Sequence, residues 1–331
     1  VKRRLQLFLT LLFVLLGSAV LAAEGPNAPA ATQEGVALFR QGRYAEAKTA
    51  LGKAVAADPK DATAKAYLAL SLSNFDRDYD KSVALLEEAV RLEPQRSEFH
   101  QWLGSEYGSK AATSSLFKAP GFAKKCGAEM VRAVELDPKD LGARESLMQF
   151  YLQAPGFMGG SVDKAREQAA AIAKLDPCRG FMAEASIALR AKDTAKAEAL
   201  YRQAIAAAPD RGLPYNGLAY LLLGAKRTDE ALVVFEQYVK AAPSDPNAHD
   251  SRGEGLLAAG RVDESLAEYQ RALELDPWFA ASYLGLGRCY EKKGDTKSAC
   301  AAGRKFLELV PKGRTSDQVR SRLEELCGKT P

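Results

Sequence analysis

Residues 280–311 read AASYLGLGRCYEKKGDTKSACAAGRKFLELVP, and the placing of large, small and helix-ending residues in this stretch decides the fold. Tyr283, Leu286 and Tyr290 fall at i, i+3 and i+7, which is one apolar face of a helix. Gly287 and Ala299 are small, and antiparallel helices approach closest where small residues meet, so these two are expected to face each other across a helix pair. Pro311 lacks an amide donor and ends the second helix. Similar phrases precede it: Ala57-Asp58-Pro59, Leu92-Glu93-Pro94, Leu136-Asp137-Pro138, Leu175-Asp176-Pro177, Pro209, Ala242-Pro243 and Leu275-Asp276-Pro277. Successive prolines, Pro311 included, are 35, 44, 39, 32, 34, 34 and 34 residues apart. A period near 34 means that the 331 residues count repeated units rather than two ordinary domains.

Tyr283, Leu286-Gly287, Tyr290, Ala299 and Pro311 occupy the W, L-G, Y, A and P places of the tetratricopeptide repeat, which this unit resembles. Other units match in part, through Leu103-Gly104 with Tyr107, Tyr151 with Ala165, Ala197 with Ala204, and Ala231 with Phe235. Gly35 opposite Ala47 is a second small pair. Ala54, Ala89, Ala133, Ala204 and Ala272 fill the small place against which the next unit packs. Arg252, Ser265 and Gly303 depart from the pattern, Gly303 standing where a large aromatic is usual. The resemblance, to an exported bacterial member of the family, covers about residues 28–327 and implies an all-α solenoid of antiparallel helix pairs stacked into a right-handed superhelix. Eight repeats are expected at 28–61, 62–96, 97–140, 141–179, 180–211, 212–245, 246–279 and 280–313, followed by a capping helix and tail over 314–331 with Val319, Leu323 and Leu326 as its apolar places.

At the other end, Lys2-Arg3-Arg4, an apolar run from Leu5 to Leu16 and small residues up to Ala23 have the build of a secretory signal peptide, residues 1–22, with a cut after Ala22 and a short linker over 23–27. Export to a bacterial periplasm follows as an expectation. The alternative is an uncleaved anchor in the inner membrane. Without the three leading basic residues, 43 Lys and Arg face 42 Asp and Glu, a balance that argues against a nucleic-acid partner. Cys126, Cys178, Cys289, Cys300 and Cys327 form no C-x-x-C pair. A bridge of Cys300 with Cys327 or with Cys289 is one reading of them, and small buried thiols are the other.

The 44- and 39-residue gaps carry extra residues at 109–123 and 153–161, both placed at the turn between a unit's two helices. Both contain the word Ala-Pro-Gly-Phe, at 119–122 and 154–157, in which Pro and Gly are expected to stop the helix. Phe122, Phe157 and Met158 are costly to leave in water, so these neighbouring turns either bury their own aromatics or form an edge for a partner or a second copy.

No nucleophile, metal or cofactor motif occurs: H-E-x-x-H, G-x-S-x-G and both glycine-rich phosphate loops are missing, and His100 and His249 read as packing residues. No enzyme and no cofactor are expected. The resemblance implies a protein-binding scaffold whose concave groove is lined by places two, five, nine and twelve of each first helix. Carried over, these give Glu98, Gln101 and Ser105, then Glu145 and Gln149, then Asn216 and Tyr220, Asp250 and Glu254, and Arg288 with Glu291. The Lys and Asn of the family's carboxylate clamp are replaced by Thr32 and Val36. Acidic and amide groups predominate, so the expected occupant is an extended neutral-to-basic protein segment. An adaptor subunit of an envelope assembly machine and an enzyme with an unrecognised site are the alternatives.

Overall fold

The computed structural model describes residues 29–328, so the expected signal peptide, its cut and the linker lie outside the described residues. Regular structure among them is helical: seventeen α-helices and one 3-10 turn. They fall into two compact units meeting in sequence at Asp176 and Pro177. The first contains α1 (Ala30–Arg40), α2 (Tyr44–Ala57), α3 (Ala62–Asp76), α4 (Tyr79–Leu92), α5 (Ser97–Thr113), α6 (Ala119–Leu136), α7 (Leu141–Gln153) and α8 (Val162–Leu175). The second contains α9 (Pro177–Arg190), α10 (Thr194–Ala207), α11 (Gly212–Gly224), α12 (Thr228–Ala241), α13 (Pro246–Ala258), α14 (Val262–Leu275), α15 (Ala280–Lys292), α16 (Thr296–Leu309) and α17 (Arg314–Cys327). Each odd-numbered helix packs on the even-numbered helix that follows it, and each even one on the next odd one within its unit. Neighbouring first helices also touch, α1 with α3, α3 with α5 and α5 with α7, then α11 with α13 and α13 with α15. The first-helix faces are therefore the inner side of each stack. The fifth pair begins at Pro177, three residues ahead of the boundary read from the period, because proline fits a helix's first position, where its missing amide costs nothing.

The recurring proline phrase is a turn with its own wiring. The carboxylates of Asp58, Asp137 and Asp276 accept hydrogen bonds from the amides of Lys60, Lys139 and Trp278, all at 2.9 Å, closing a turn around the intervening proline. The proline carbonyl is then taken by the fourth residue of the following helix, six positions on. Tyr215 and Tyr283 donate their hydroxyls to Pro209 and Pro277 at 3.0 and 3.1 Å, Arg144 donates Nε to Pro138 at 2.7 Å, and His100 and His249 place Nε2 at 3.0 and 3.2 Å from Pro94 and Pro243. Any long donor serves there, so the place tolerates tyrosine, histidine and arginine alike. Many second helices then start on an aspartate or serine cap, as Asp78, Asp193 and Asp295 do.

Close packing between helices takes a different form from the one read in the sequence. Gly287 does meet Ala299, whose carbonyl oxygen lies 3.9 Å from where a Cβ would sit, but that contact is loose, whereas a Cβ at Gly35 would lie 2.5 Å from Leu51 Cγ. The tight contacts pair a glycine with a large side chain. Tyr269 of α14 is 2% exposed and lies against Gly253 of its partner helix and Gly285 of the next first helix, Tyr201 lies against Gly217, and Phe235 against Gly255. Gly303, out of pattern in the sequence, leaves room for Leu323 of the capping helix, 2.9 Å from where a Cβ would sit. Cys300 and Cys327 join α16 to that cap by a disulfide, while Cys126, Cys178 and Cys289 stay reduced and buried, so the two readings of the cysteines divide between them.

The third pair absorbs its extra residues by lengthening both helices. Ala119-Pro120-Gly121-Phe122 opens α6 instead of stopping a helix, with Pro120 in its first turn. The turn is 114–118. In the fourth pair, Pro155 precedes the 3-10 turn Gly156–Met158, which packs on α6.

Candidate functional site

In the first unit, the inner face of α5 and α7 carries Gln101, Glu145 and Gln149. Gln101 is buried and donates Nε2 to Ser146 Oγ at 2.9 Å, so its amide ties α5 to α7. Glu145 and Gln149 are half-buried, and Gln149 accepts from Gln153 Nε2 at 3.4 Å. Thr32 and Val36, at the clamp places, are fully buried, and Thr32 donates to the Asp61 carboxylate at 2.6 Å.

The six expected groove residues of the second unit stand on three successive first helices, α11, α13 and α15, and one of them, Glu291, is taken by Arg322 of the capping helix. Tyr220 of α11 donates its hydroxyl to Glu254 Oε2 of α13 at 2.8 Å, with Ser251 Oγ 3.4 Å away, and its ring meets Phe235 edge-on at 5.4 Å. Burial and the Glu254 charge hold the Tyr220 hydroxyl well above the ordinary phenol range. Asp250 is 8% exposed and accepts from Ser282 Oγ of α15 at 2.7 Å. Burial pushes its carboxyl up to about 6, with the Glu254 charge adding to the rise and Arg288 opposing it. Asp250 is therefore a helix-to-helix contact and not a group free for a partner. Arg288 is exposed, Glu254 is half-buried and Asn216 keeps a buried Oδ1 without a partner. The available chemistry is a partly exposed tyrosine ring, a carboxylate, a guanidinium and an amide along one face.

At the turns, Phe122 is half-buried, stacked on Tyr107 at 6.4 Å with Lys110 Nζ 4.5 Å from its ring centre. Met158 is half-buried, whereas Phe157 is 80% exposed. Sequence reading missed Leu116 and Phe117, exposed by 67% and 97%. The signal was an apolar pair between Ser114-Ser115 and Lys118, overshadowed by the repeated Ala-Pro-Gly-Phe words. It also missed Glu106, 4% exposed on α5.

Both histidines are structural. Nδ1 of His100 lies 2.6 Å from Glu129 and that of His249 2.8 Å from Glu268, each on the partner helix, so with the proline carbonyl both ring nitrogens of each are occupied. Among the described residues no group of three or more His, Cys, Asp and Glu side chains is placed to hold a metal ion, and no helix is long and apolar enough to cross a membrane.

Models of the tetratricopeptide repeat match residues 32–73, 188–254 and 251–314, together just over half of the chain. Among solved structures, yeast Tom70 superposes with a TM-score of 0.69 at 14% identity, covering 98% of this chain and 70% of that one. The Cut9–Hcn1 hetero-tetramer of the APC/C gives a TM-score of 0.46 at 13% identity, covering 97% and 59%. At 14% identity the likeness to Tom70 is one of fold. No curated protein matches the sequence.

Proposed function

The chain belongs to the tetratricopeptide repeat family, and from that premise we propose that it is a non-enzymatic scaffold holding an extended, neutral-to-basic protein segment on the inner face of α11, α13 and α15. The observation that carries this reading is the row formed by Tyr220, Glu254 and Arg288 on three consecutive first helices, with Asn216 one turn before Tyr220 on α11. Tyrosine supplies rigid contact area, Glu254 and the neighbouring Asp250 set a negative local field, and Asn216, its oxygen enclosed, offers its amide nitrogen to a peptide carbonyl. The proposed compartment is the bacterial cell envelope, reached by export. The Cys300–Cys327 disulfide supports it, because such bonds persist in oxidising compartments.

The test uses fluorescence-labelled extended peptides, matched in length, of net positive, neutral and negative charge. Positive peptides are expected to bind most tightly. Glu254→Gln should weaken them about five- to tenfold, or about 1–1.4 kcal/mol, and Tyr220→Ala should weaken positive and neutral peptides alike. Negative peptides binding as tightly as positive ones would overturn the assignment. Asp250 is left unchanged, since its loss breaks the bond to Ser282 and confounds binding with folding.

A further inference from the structure

The three most exposed large apolar side chains among the described residues are Phe117, Phe157 and Leu116, at 97%, 80% and 67% exposed, and all three stand on the turns at 114–118 and 154–161. Those turns leave the carboxyl ends of α5 and α7, two first helices that touch and run in the same sense, so both emerge from one edge of the first unit. The Gly156–Met158 turn also rests on α6, the helix into which the 114–118 turn leads. At such exposures the rings protrude beyond their own turns instead of lining a hollow.

Within the two turns and their flanking segments the charges are basic, with exposed Asp80 and Asp163 at the margins. Residues 107–128 contain Lys110, Lys118, Lys124 and Lys125 and no acidic residue, and residues 149–162 contain no charged residue at all. Lys110 is paired with Asp80 at 2.5 Å and Lys125 stands 3.8 Å from Glu87. Lys118 and Lys124 are exposed and make no ion pair. Protruding apolar tips flanked by exposed lysines match a membrane interface, in which apolar groups sink to the boundary of headgroup and acyl chain while cations meet anionic headgroups. A protein partner would instead require a hollow of its own for each tip.

We propose that these two turns dock the first unit onto an anionic lipid surface, with Phe117, Leu116 and Phe157 inserted and Lys118 and Lys124 at headgroup level. This surface is separate from the peptide-binding face proposed for the second unit. The apolar run from Leu5 to Leu16 can also contact lipid, so the readout has to be local. Phe117→Trp in the full chain places a reporter at the tip, to be compared with the unchanged chain, whose Trp102 and Trp278 set the background. Vesicles of phosphatidylcholine with phosphatidylglycerol, brominated on the acyl chains, should quench the added tryptophan, and vesicles of phosphatidylcholine alone should not. Leu116→Ser with Phe117→Ser, and separately Lys118→Glu with Lys124→Glu, should each lower affinity for the anionic vesicles about tenfold with unchanged thermal midpoints. Absence of quenching at position 117, or equal quenching by neutral vesicles, overturns the proposal. So does lipid-free self-association, seen by sedimentation, that the serine variant abolishes, for the turns would then be an interface between copies.

Discussion

Glu106 shows how far one residue can be moved from its ordinary behaviour. Its carboxyl lies inside the first unit beside the hydroxyls of Ser73 and Ser82, neither of which makes a hydrogen bond of good geometry to it, and its Oε2 has no partner. Burial raises it from 4.5 to about 7, a rise that the two serines and Arg77 only partly offset. Between those values the folded chain keeps a proton that the unfolded chain has released. Stability is therefore greatest below the unfolded value, falls as pH rises towards 7 and is flat above, by on the order of 3 kcal/mol in all. Scanning calorimetry between about pH 5 and pH 8 should show the thermal midpoint falling with pH. Glu106→Gln, which keeps the shape and removes the titration, should flatten most of that slope. A smaller slope of the same sign remains from Asp250, whose carboxyl is raised from 3.8 to about 6. Parallel slopes for the two proteins would mean that Glu106 does not titrate in this window.

At the scale of helices, the recurring joint is a second-helix aromatic pressed against glycines, and it sorts glycines that look alike in the sequence. A Cβ at Gly285 would lie 2.2–2.5 Å from the Tyr269 ring, and that ring cannot retreat because Gly253 already holds its other contact at about the limit of approach, 3.0–3.1 Å. Overpacking of this kind costs roughly 1–3 kcal/mol and outweighs the ~1 kcal/mol that alanine gains over glycine in a helix. Gly52, in the middle of α2, has nothing within 4 Å of where a Cβ would sit. Gly285→Ala should lower the denaturation midpoint and Gly52→Ala should raise it; equal effects would remove the wedge as the cause. The proline turn makes a second test. Tyr283→Phe deletes the hydroxyl that the Pro277 carbonyl receives and should cost about 1 kcal/mol, while the helices themselves persist by circular dichroism.

For the molecule as a whole, stability in stacked repeats is carried by each unit and its neighbours, so damage stays local. The last pair has no further repeat to cover it, and α17 does that work with Leu323 seated over Gly303 and with the Cys300–Cys327 bond closing a loop of 27 residues. Loop-closure entropy assigns such a bond about 3.5 kcal/mol. Cys300→Ser together with Cys327→Ser should raise hydrogen exchange in α16 and α17 and leave α1 to α8 unchanged. Exchange that rises evenly along the chain would show that the cap holds more than its own end.

The repeated pair, the turn at each proline and the identity of the first helices were legible in the sequence, because they rest on local rules: periodic apolar places, small residues at fixed offsets, and an imino acid that cannot donate. Tyr220, Glu254 and Arg288 were named through the resemblance to the family, place by place, and they stand on the first helices α11, α13 and α15. What each small residue faces was not legible, because Gly35 against Leu51 and Gly285 against Tyr269 depend on how far one helix slides along another. The same holds for Asp250, which looks like a groove carboxylate until Ser282 of the next first helix is placed 2.7 Å from it, and for Ala119-Pro120-Gly121-Phe122, whose proline starts α6 because a longer pair puts it at the amino end of a helix. Periodicity is a property of the chain itself, whereas register, burial and exposure arise only when separate segments share one volume, and they decided that Glu106 is enclosed and Phe117 is not.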